Sequence, residues 1–129
     1  MPIKRILCVD DDNDTCELLT TLLSVSGFEA VCALNMTAAL RLMEGEEFSL
    51  YILDGQSSAV PELSLCDLVR EVDRHTPIII FSGHAHRSDI EAGMRAGADA
   101  YLVKPDISEL ILTAKRLLEG KIRGEAPGL

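Results

Sequence analysis

The sequence predicts an α/β fold: a doubly wound, five-stranded parallel sheet with five helices on its two faces. Three observations lead there. Apolar runs of four to six residues alternate with helical patterns, as in repeated strand–helix–strand units. The run Ile78-Ile79-Ile80 is continuous rather than alternating, as expected of a strand covered on both faces. Four runs stop at polar groups: Ile6-Leu7-Cys8-Val9 at Asp10-Asp11, Leu50-Tyr51-Ile52-Leu53 at Asp54, Ile78-Ile79-Ile80-Phe81 at Ser82-Gly83, and Tyr101-Leu102-Val103 at Lys104-Pro105. Parallel strands would bring these four ends to one sheet edge, the edge where open α/β sheets bind ligands.

The first strand is expected over Arg5 to Val9, with a helix from Asn13, as N-cap, to Ser26. Leu18, Leu19, Leu22, Leu23 and Val25 supply an apolar stripe, and Gly27 stands where a left-handed residue ends the helix. Phe28 to Ala33 reads as the second strand. A short helix follows over Thr37 to Glu44, with Leu40 and Met43 inward and Gly45 closing it. The third strand spans Ser49 to Leu53. Pro61 suits the first turn of helix three, whose stripe is Leu65, Leu68, Val69 and Val72.

Pro77 opens the fourth strand, which runs to Phe81. Ser88-Asp89-Ile90-Glu91 has the form of a capping box, so helix four is expected from there to Gly97. Asp99 to Val103 is the fifth strand. Asp106 with Glu109 marks the start of helix five, with Ile107, Leu110, Ile111, Ala114, Leu117 and Leu118 as its stripe. Residues 1–120 therefore read as one domain, and 121–129 as a flexible tail or the start of a linker.

The 129 residues suffice for a real core, and 47% apolar content marks a globular chain. A net charge of -9 argues against direct nucleic-acid binding or a membrane surface as the main partner. No apolar stretch has the ~20 residues of a membrane span. Met1 to Arg5 leads straight into a strand without a signal peptide, and a cytoplasmic location is expected. The four cysteines show no C-x-x-C pair and no zinc spacing, so all are read as small buried hydrophobes in a reducing compartment.

Asp10, Asp11 and Asp54 carry the chemistry. Carboxylates brought within a few ångströms raise one another's pKa unless a cation intervenes. Magnesium, which takes a few carboxylates plus waters and phosphate oxygens, fits such a group. Lys104 adds a positive charge for a phosphoryl oxygen, Ser82 a hydroxyl donor, and Gly83 a close backbone approach. Asp54, with Gly55 behind it, is placed to attack phosphorus, a known role of carboxylates. Any one of these residues alone reads as an ordinary loop or cap; their joint occurrence at strand ends favours function.

With those motifs in place, the chain resembles the receiver domain of bacterial two-component response regulators, the flavodoxin-like chemotaxis-regulator fold. The resemblance covers about residues 3–120 and rests on Ile6 to Asp12, Tyr51 to Asp54, Pro77 to Gly83 and Gly97 to Pro105. It implies that Asp54 accepts a phosphoryl group from a sensor histidine kinase or a phosphotransfer protein. It implies that Asp10, Asp11 and Asp54, with the Gln56 carbonyl, hold Mg2+. Ser82 would be the switch hydroxyl, Lys104 the partner of the phosphoryl charge, and Tyr101 the aromatic that changes rotamer. Gln56 and His84 would flank the phosphoryl group and set its lifetime. The Lys104–Pro105 bond would be cis. The face of helix four, strand five and helix five would bind a partner or a second copy of the chain. The chain would not be an enzyme with a turnover substrate; it would catalyse only its own phosphorylation and dephosphorylation.

Some positions depart from the family pattern. Ser57 and Ser58 replace the usual Met-Pro, Val60-Pro61-Glu62 stands where a glycine is common, and Asp106 follows Lys104-Pro105 in place of an aromatic. Two other readings follow. A degenerate receiver would keep the fold as an interaction module without phosphate control. A magnesium-dependent phosphohydrolase would need a second acid where Gln56 stands, and a cap for which there is no length. His84-Ala85-His86 also admits a metal pair, against a solvated loop pair as the ordinary reading.

Overall fold

A computed structural model describes residues 3–55 and 63–120. Its strands are β1 (Arg5–Val9), β2 (Glu29–Ala33), β3 (Leu50–Leu53), β4 (Ile78–Ser82) and β5 (Ala100–Val103). Its helices are α1 (Asn13–Val25), α2 (Met36–Gly45), α3 (Leu65–Val72), α4 (Arg87–Arg95) and α5 (Ile107–Leu118). The sheet is parallel throughout, in the order β2-β1-β3-β4-β5. The order reverses at β1, so a crevice opens beyond the carboxyl ends of β1 and β3.

Alternate side chains of each strand enter two separate cores. Leu7, Val9, Tyr51, Leu53, Ile78 and Ile80 pack with Ala39, Leu65, Cys66 and Val69 beneath α2 and α3. Ile6, Cys8, Leu50, Ile52, Ile79 and Phe81 pack with Leu19, Leu23, Leu110, Ala114 and Leu117 beneath α1 and α5. Covering on both faces explains the unbroken apolar runs Ile6 to Val9 in β1, Leu50 to Leu53 in β3 and Ile78 to Phe81 in β4. Among the described residues, no helix is long and apolar enough to cross a membrane.

The structure corrects several local expectations. Asp12, not Asn13, is the N-cap of α1, and Asn13 is its first residue. The inward face of α1 is Cys16, Leu19 and Leu23, spaced by three and four residues; Leu18 and Val25 project outward on the other side. Leu40 and Val72 are likewise exposed, because Ala39 and Val69 take the inward positions of α2 and α3. Asn35 caps α2 by accepting from the Ala38 amide at 2.9 Å. Pro61 lies outside the described residues, and α3 begins at Leu65, capped by a reciprocal Ser64–Asp67 box. The capping box expected at Ser88 does not form: α4 starts at Arg87 with His86 as N-cap and no side-chain bond. Asp106 does cap α5, accepting from the Glu109 amide at 3.0 Å. Gly27 and Gly97 have φ of 98° and 113°, the left-handed region that ends α1 and α4.

The cysteine reading also changes. Cys16 of α1 and Cys32 of β2 are joined by a disulfide, with Cα atoms 5.8 Å apart. The helix packs across the strand there, a juxtaposition that spacing along the chain does not reveal. Cys8 and Cys66 are buried free thiols, as expected.

Candidate functional site

The strand ends are held in register by the ladder itself. Asp10 N donates to Ala33 O at 3.1 Å, Asp54 N to Val9 O at 2.9 Å, and Lys104 N to Ser82 O at 2.8 Å. In this register Asp10 stands beside Asp54, Ser82 lies one residue and Lys104 two residues further along the sheet, and the side chains of Asp10, Asp54 and Lys104 meet over the carboxyl edge.

Carboxylate oxygens of Asp10, Asp11 and Asp54 all lie within 4.8 Å of one another. Asp10 and Asp54 are only 3% and 7% exposed, whereas Asp11 faces solvent. Lys104 Nζ donates to Asp10 Oδ2 at 2.9 Å and stands 3.6 Å from Asp54 Oδ1. Its ammonium also lies 5.9 Å from the centre of the Phe81 ring, which braces it from the side. The other Asp10 oxygen accepts from the Asp12 amide at 2.9 Å.

Burial pushes the Asp10 carboxyl above its ordinary value and Asp54 adds to this, while the Asp12 amide and Lys104 oppose it. Lys104 is raised: burial disfavours its charge, but Asp10 and Asp54 more than compensate. Asp12 is lowered, chiefly by the Thr15 hydroxyl, which donates to it at 2.7 Å. Two buried carboxylates, one exposed carboxylate and a single lysine leave an excess of negative charge on hard oxygen donors. That donor set fits magnesium.

Ser82 is fully buried, and its Oγ accepts from the His84 amide at 3.1 Å. A Cβ at Gly55 would come within 3.0 Å of that Oγ, so the glycine after Asp54 is what lets the hydroxyl stand beside the acidic loop. At Gly83, by contrast, a Cβ would meet nothing, so the close approach expected there belongs to Gly55. Tyr101 is half-buried and donates its hydroxyl to the His84 carbonyl at 2.8 Å. Its ring lies on Gly93 of α4, where a Cβ would sit 2.9 Å from the ring and 2.7 Å from Ile80 Cδ1. This Gly93–Tyr101–His84 contact has no sequence motif; a glycine inside an amphipathic helix was its only signal.

His84 and His86 are exposed. Among the described residues, the acidic trio is the only group of three or more His, Cys, Asp or Glu side chains close enough to share an ion. Gln56, Ser57, Ser58 and Val60 to Glu62 lie outside the described residues. The Lys104–Pro105 peptide is cis.

Comparison with known proteins agrees with this geometry. The family model for the response regulator receiver domain matches residues 6–115. The transcriptional regulatory protein PrrA of Mycobacterium tuberculosis is 36% identical over 115 residues, 88% of this chain and 49% of PrrA. The regulatory protein AtoC of Escherichia coli is 30% identical over 91% of this chain and 26% of its own length. The chain thus spans about half the length of the PrrA relatives it matches. Among solved structures, the receiver domain of the Francisella response regulator 1452 superposes with a TM-score of 0.82 at 26% identity, covering 91% of this chain and 98% of that one. The response regulator protein TrrA of Thermotoga maritima, solved in complex with Mg(2+)-BeF, gives 0.76 at 32% identity, covering 89% and 99%. With its parallel sheet, its acidic crevice and a family match over most of its length, the chain belongs to the response regulator receiver domains of two-component signalling.

Proposed function

We propose that Asp54 is the phosphoacceptor, receiving a phosphoryl group from the phosphohistidine of a sensor kinase or phosphotransfer protein. The observation that carries this is the convergence of Asp10, Asp11 and Asp54 with the Lys104 ammonium at one sheet edge. An oxygen of Asp54 attacks phosphorus, the phosphorus–nitrogen bond breaks, and its electron pair returns to the donor imidazole. Magnesium, held by Asp10, Asp11, Asp54 and the Gln56 carbonyl, would neutralise the carboxylates and orient the phosphoryl oxygens.

The chain's own residues do the rest. Lys104 already lies near Asp54 and needs only a small turn from Asp10 to meet new charge on the acceptor. Ser82 accepts from the His84 amide, and its hydroxyl hydrogen can be donated to a phosphoryl oxygen. The domain has no turnover substrate; it catalyses its own phosphorylation and the later hydrolysis, whose rate His84 and Gln56 would set. The phosphoryl group adds about -1.5 to -2 charges. Ser82 moves toward it, and the His84 segment and Tyr101 follow, because His84 is bonded to both. The output is a changed α4–β5–α5 face for a protein partner or a second copy, with no direct contact to nucleic acid given the charge of -9. A degenerate, phosphate-independent module would have no need of this intact set of groups.

Incubation with magnesium and acetyl phosphate, followed by intact mass, tests the reading. Wild type should gain one phosphoryl group and Asp54→Asn none. An unmodified wild type, under conditions that label a control receiver, would favour the degenerate module.

A further inference from the structure

Cys16 and Cys32 lie beside the acidic loop but outside the set of groups assigned to phosphoryl transfer. Cys16 closes the first turn of α1, and Cys32 is the last residue but one of β2, in register with Cys8. Their Cα atoms, 5.8 Å apart, are at the separation a disulfide normally spans, and the sulfurs are bonded. Two contacts connect this bridge to Asp10. Cys16 Sγ lies 3.4 Å from the Asp10 carbonyl oxygen. The Asp10 amide donates at 3.1 Å to the carbonyl of Ala33, the neighbour of Cys32. The backbone of Asp10 thus touches one end of the bridge and is hydrogen-bonded to the residue next to the other.

We propose that Cys16 and Cys32 form a thiol–disulfide pair whose oxidation state sets how firmly the Asp10–Asp11 loop is held for a divalent cation. This rests on reading Asp10, Asp11 and Asp54 as a magnesium site, and not on phosphoryl transfer. The oxidant is a low-molecular-weight or protein disulfide. Cys32, half-buried and the more open of the two, attacks it as thiolate and forms a mixed disulfide, releasing one thiol. Cys16 then attacks the Cys32 sulfur, the mixed bond breaks, and a second thiol departs. The two cysteine protons leave on the released thiols, and the external disulfide takes up the two electrons. A dithiol reverses both steps. Cys8 and Cys66, 0% and 1% exposed within the two cores, are screened from the exchange.

The coupling is mechanical. In the reduced chain the first turn of α1 is held to β2 by packing alone. The covalent link removes sliding between helix and strand. The loop from Asp10 to Asp12 is anchored on both, so cation binding then pays less of an ordering cost.

The full chain should be oxidised with oxidised glutathione or reduced with dithiothreitol, then mapped by peptide mass and titrated with magnesium. Amide exchange at Asp10 to Asp12 is read in the same samples. Oxidation should remove two hydrogens and yield a single Cys16–Cys32 cross-linked peptide. The oxidised form should bind magnesium about tenfold more tightly than the reduced form, the low end of the effect of an outer-shell partner, and exchange more slowly at Asp12. Cys32→Ser should match the reduced form under both conditions; if it fails to fold, the two wild-type samples decide alone. No bridge, or a bridge with unchanged magnesium affinity and exchange, would overturn the inference. Absence of magnesium binding in both forms would instead remove the metal reading on which it rests.

Discussion

Asp11 is the exposed member of the acidic trio, so its removal takes one donor from the proposed magnesium site while leaving the buried Asp10–Lys104 pair intact. Asp11→Ala should weaken magnesium binding by more than the ~10-fold typical of losing an outer-shell partner, and slow acetyl-phosphate labelling in step. Magnesium titration followed by NMR checks it; an unchanged affinity would place the ion elsewhere. Asp73 shows the opposite electrostatic outcome to Asp10. Burial pushes its carboxyl up, but the Thr76 and Tyr51 hydroxyls, each donating at 2.7 Å, and the Thr76 and His75 amides bring it from 3.8 down to about 2. A carboxyl lowered in the folded state contributes stability that is full above 3.8 and disappears as pH falls through about 2. Asp73→Asn should therefore be less stable than wild type at neutral pH, with the gap closing across that acid window. Urea midpoints from neutral pH down to the window test this, and parallel profiles would contradict it.

Helices α3 and α4 differ in how they begin, and that difference bears on which of them can move. In α3 the Ser64 hydroxyl accepts from the Asp67 amide at 3.2 Å, while the Asp67 carboxylate accepts from the Ser64 amide at 2.8 Å. Arg70 then fastens the far end: it donates to the carbonyls of Asp73, Thr76 and Gly97 and pairs with Asp99 at 3.2 Å. Because Gly97 follows α4, this arginine also holds the C-terminal end of α4 against α3. The N-terminal end of α4 has no side-chain cap. Motion of α4 is therefore expected at its first turn, the end next to His84 and Ser82. Ser64→Ala should cost about 1 kcal/mol of stability, as loss of a capping hydroxyl does, measured by chemical denaturation. It should leave the labelling rate of Asp54 unchanged. A slowed rate would show that α3 is coupled to the acidic site.

Across the whole molecule, the proposed switch requires signal to pass from the sheet edge to the α4–β5–α5 face. The covalent and hydrogen-bonded route is short: Gly55 beside Ser82, Ser82 to the His84 amide, the His84 carbonyl to Tyr101, and Tyr101 on Gly93 of α4. Tyr101 already packs against α4 in this structure, so the phosphoryl group is expected to shift populations along an existing contact. The extent is bounded by its differential interaction with the two states. Ser82→Ala should leave Asp54 open to phosphorylation but shrink the NMR shift changes at Tyr101 and along α4 to a small fraction of wild type. If wild-type changes stayed confined to residues touching Asp54, no such route would operate.

The order of elements and the four chemical strand ends were open to reading from the sequence alone. Both follow from local rules: apolar runs long enough only for strands, glycines and caps between them, and polar residues placed where each run stops. Asp10, Asp11, Asp54 and Lys104 could be grouped because a parallel sheet brings all its carboxyl ends to one edge. What packing decided was finer. Leu18, Leu40 and Val72 fit a helical stripe yet face outward, because helical spacing defines a face only to within a residue and the sheet selects its centre. Ser88 to Glu91 had the letters of a capping box, but the N-cap is His86, two residues earlier, so the bond has no geometry to form. The Cys16–Cys32 bridge and the Tyr101–His84 bond join residues 16 and 17 positions apart on different elements. Such contacts depend on how a helix or a loop lies against a strand, and only the tertiary structure sets that.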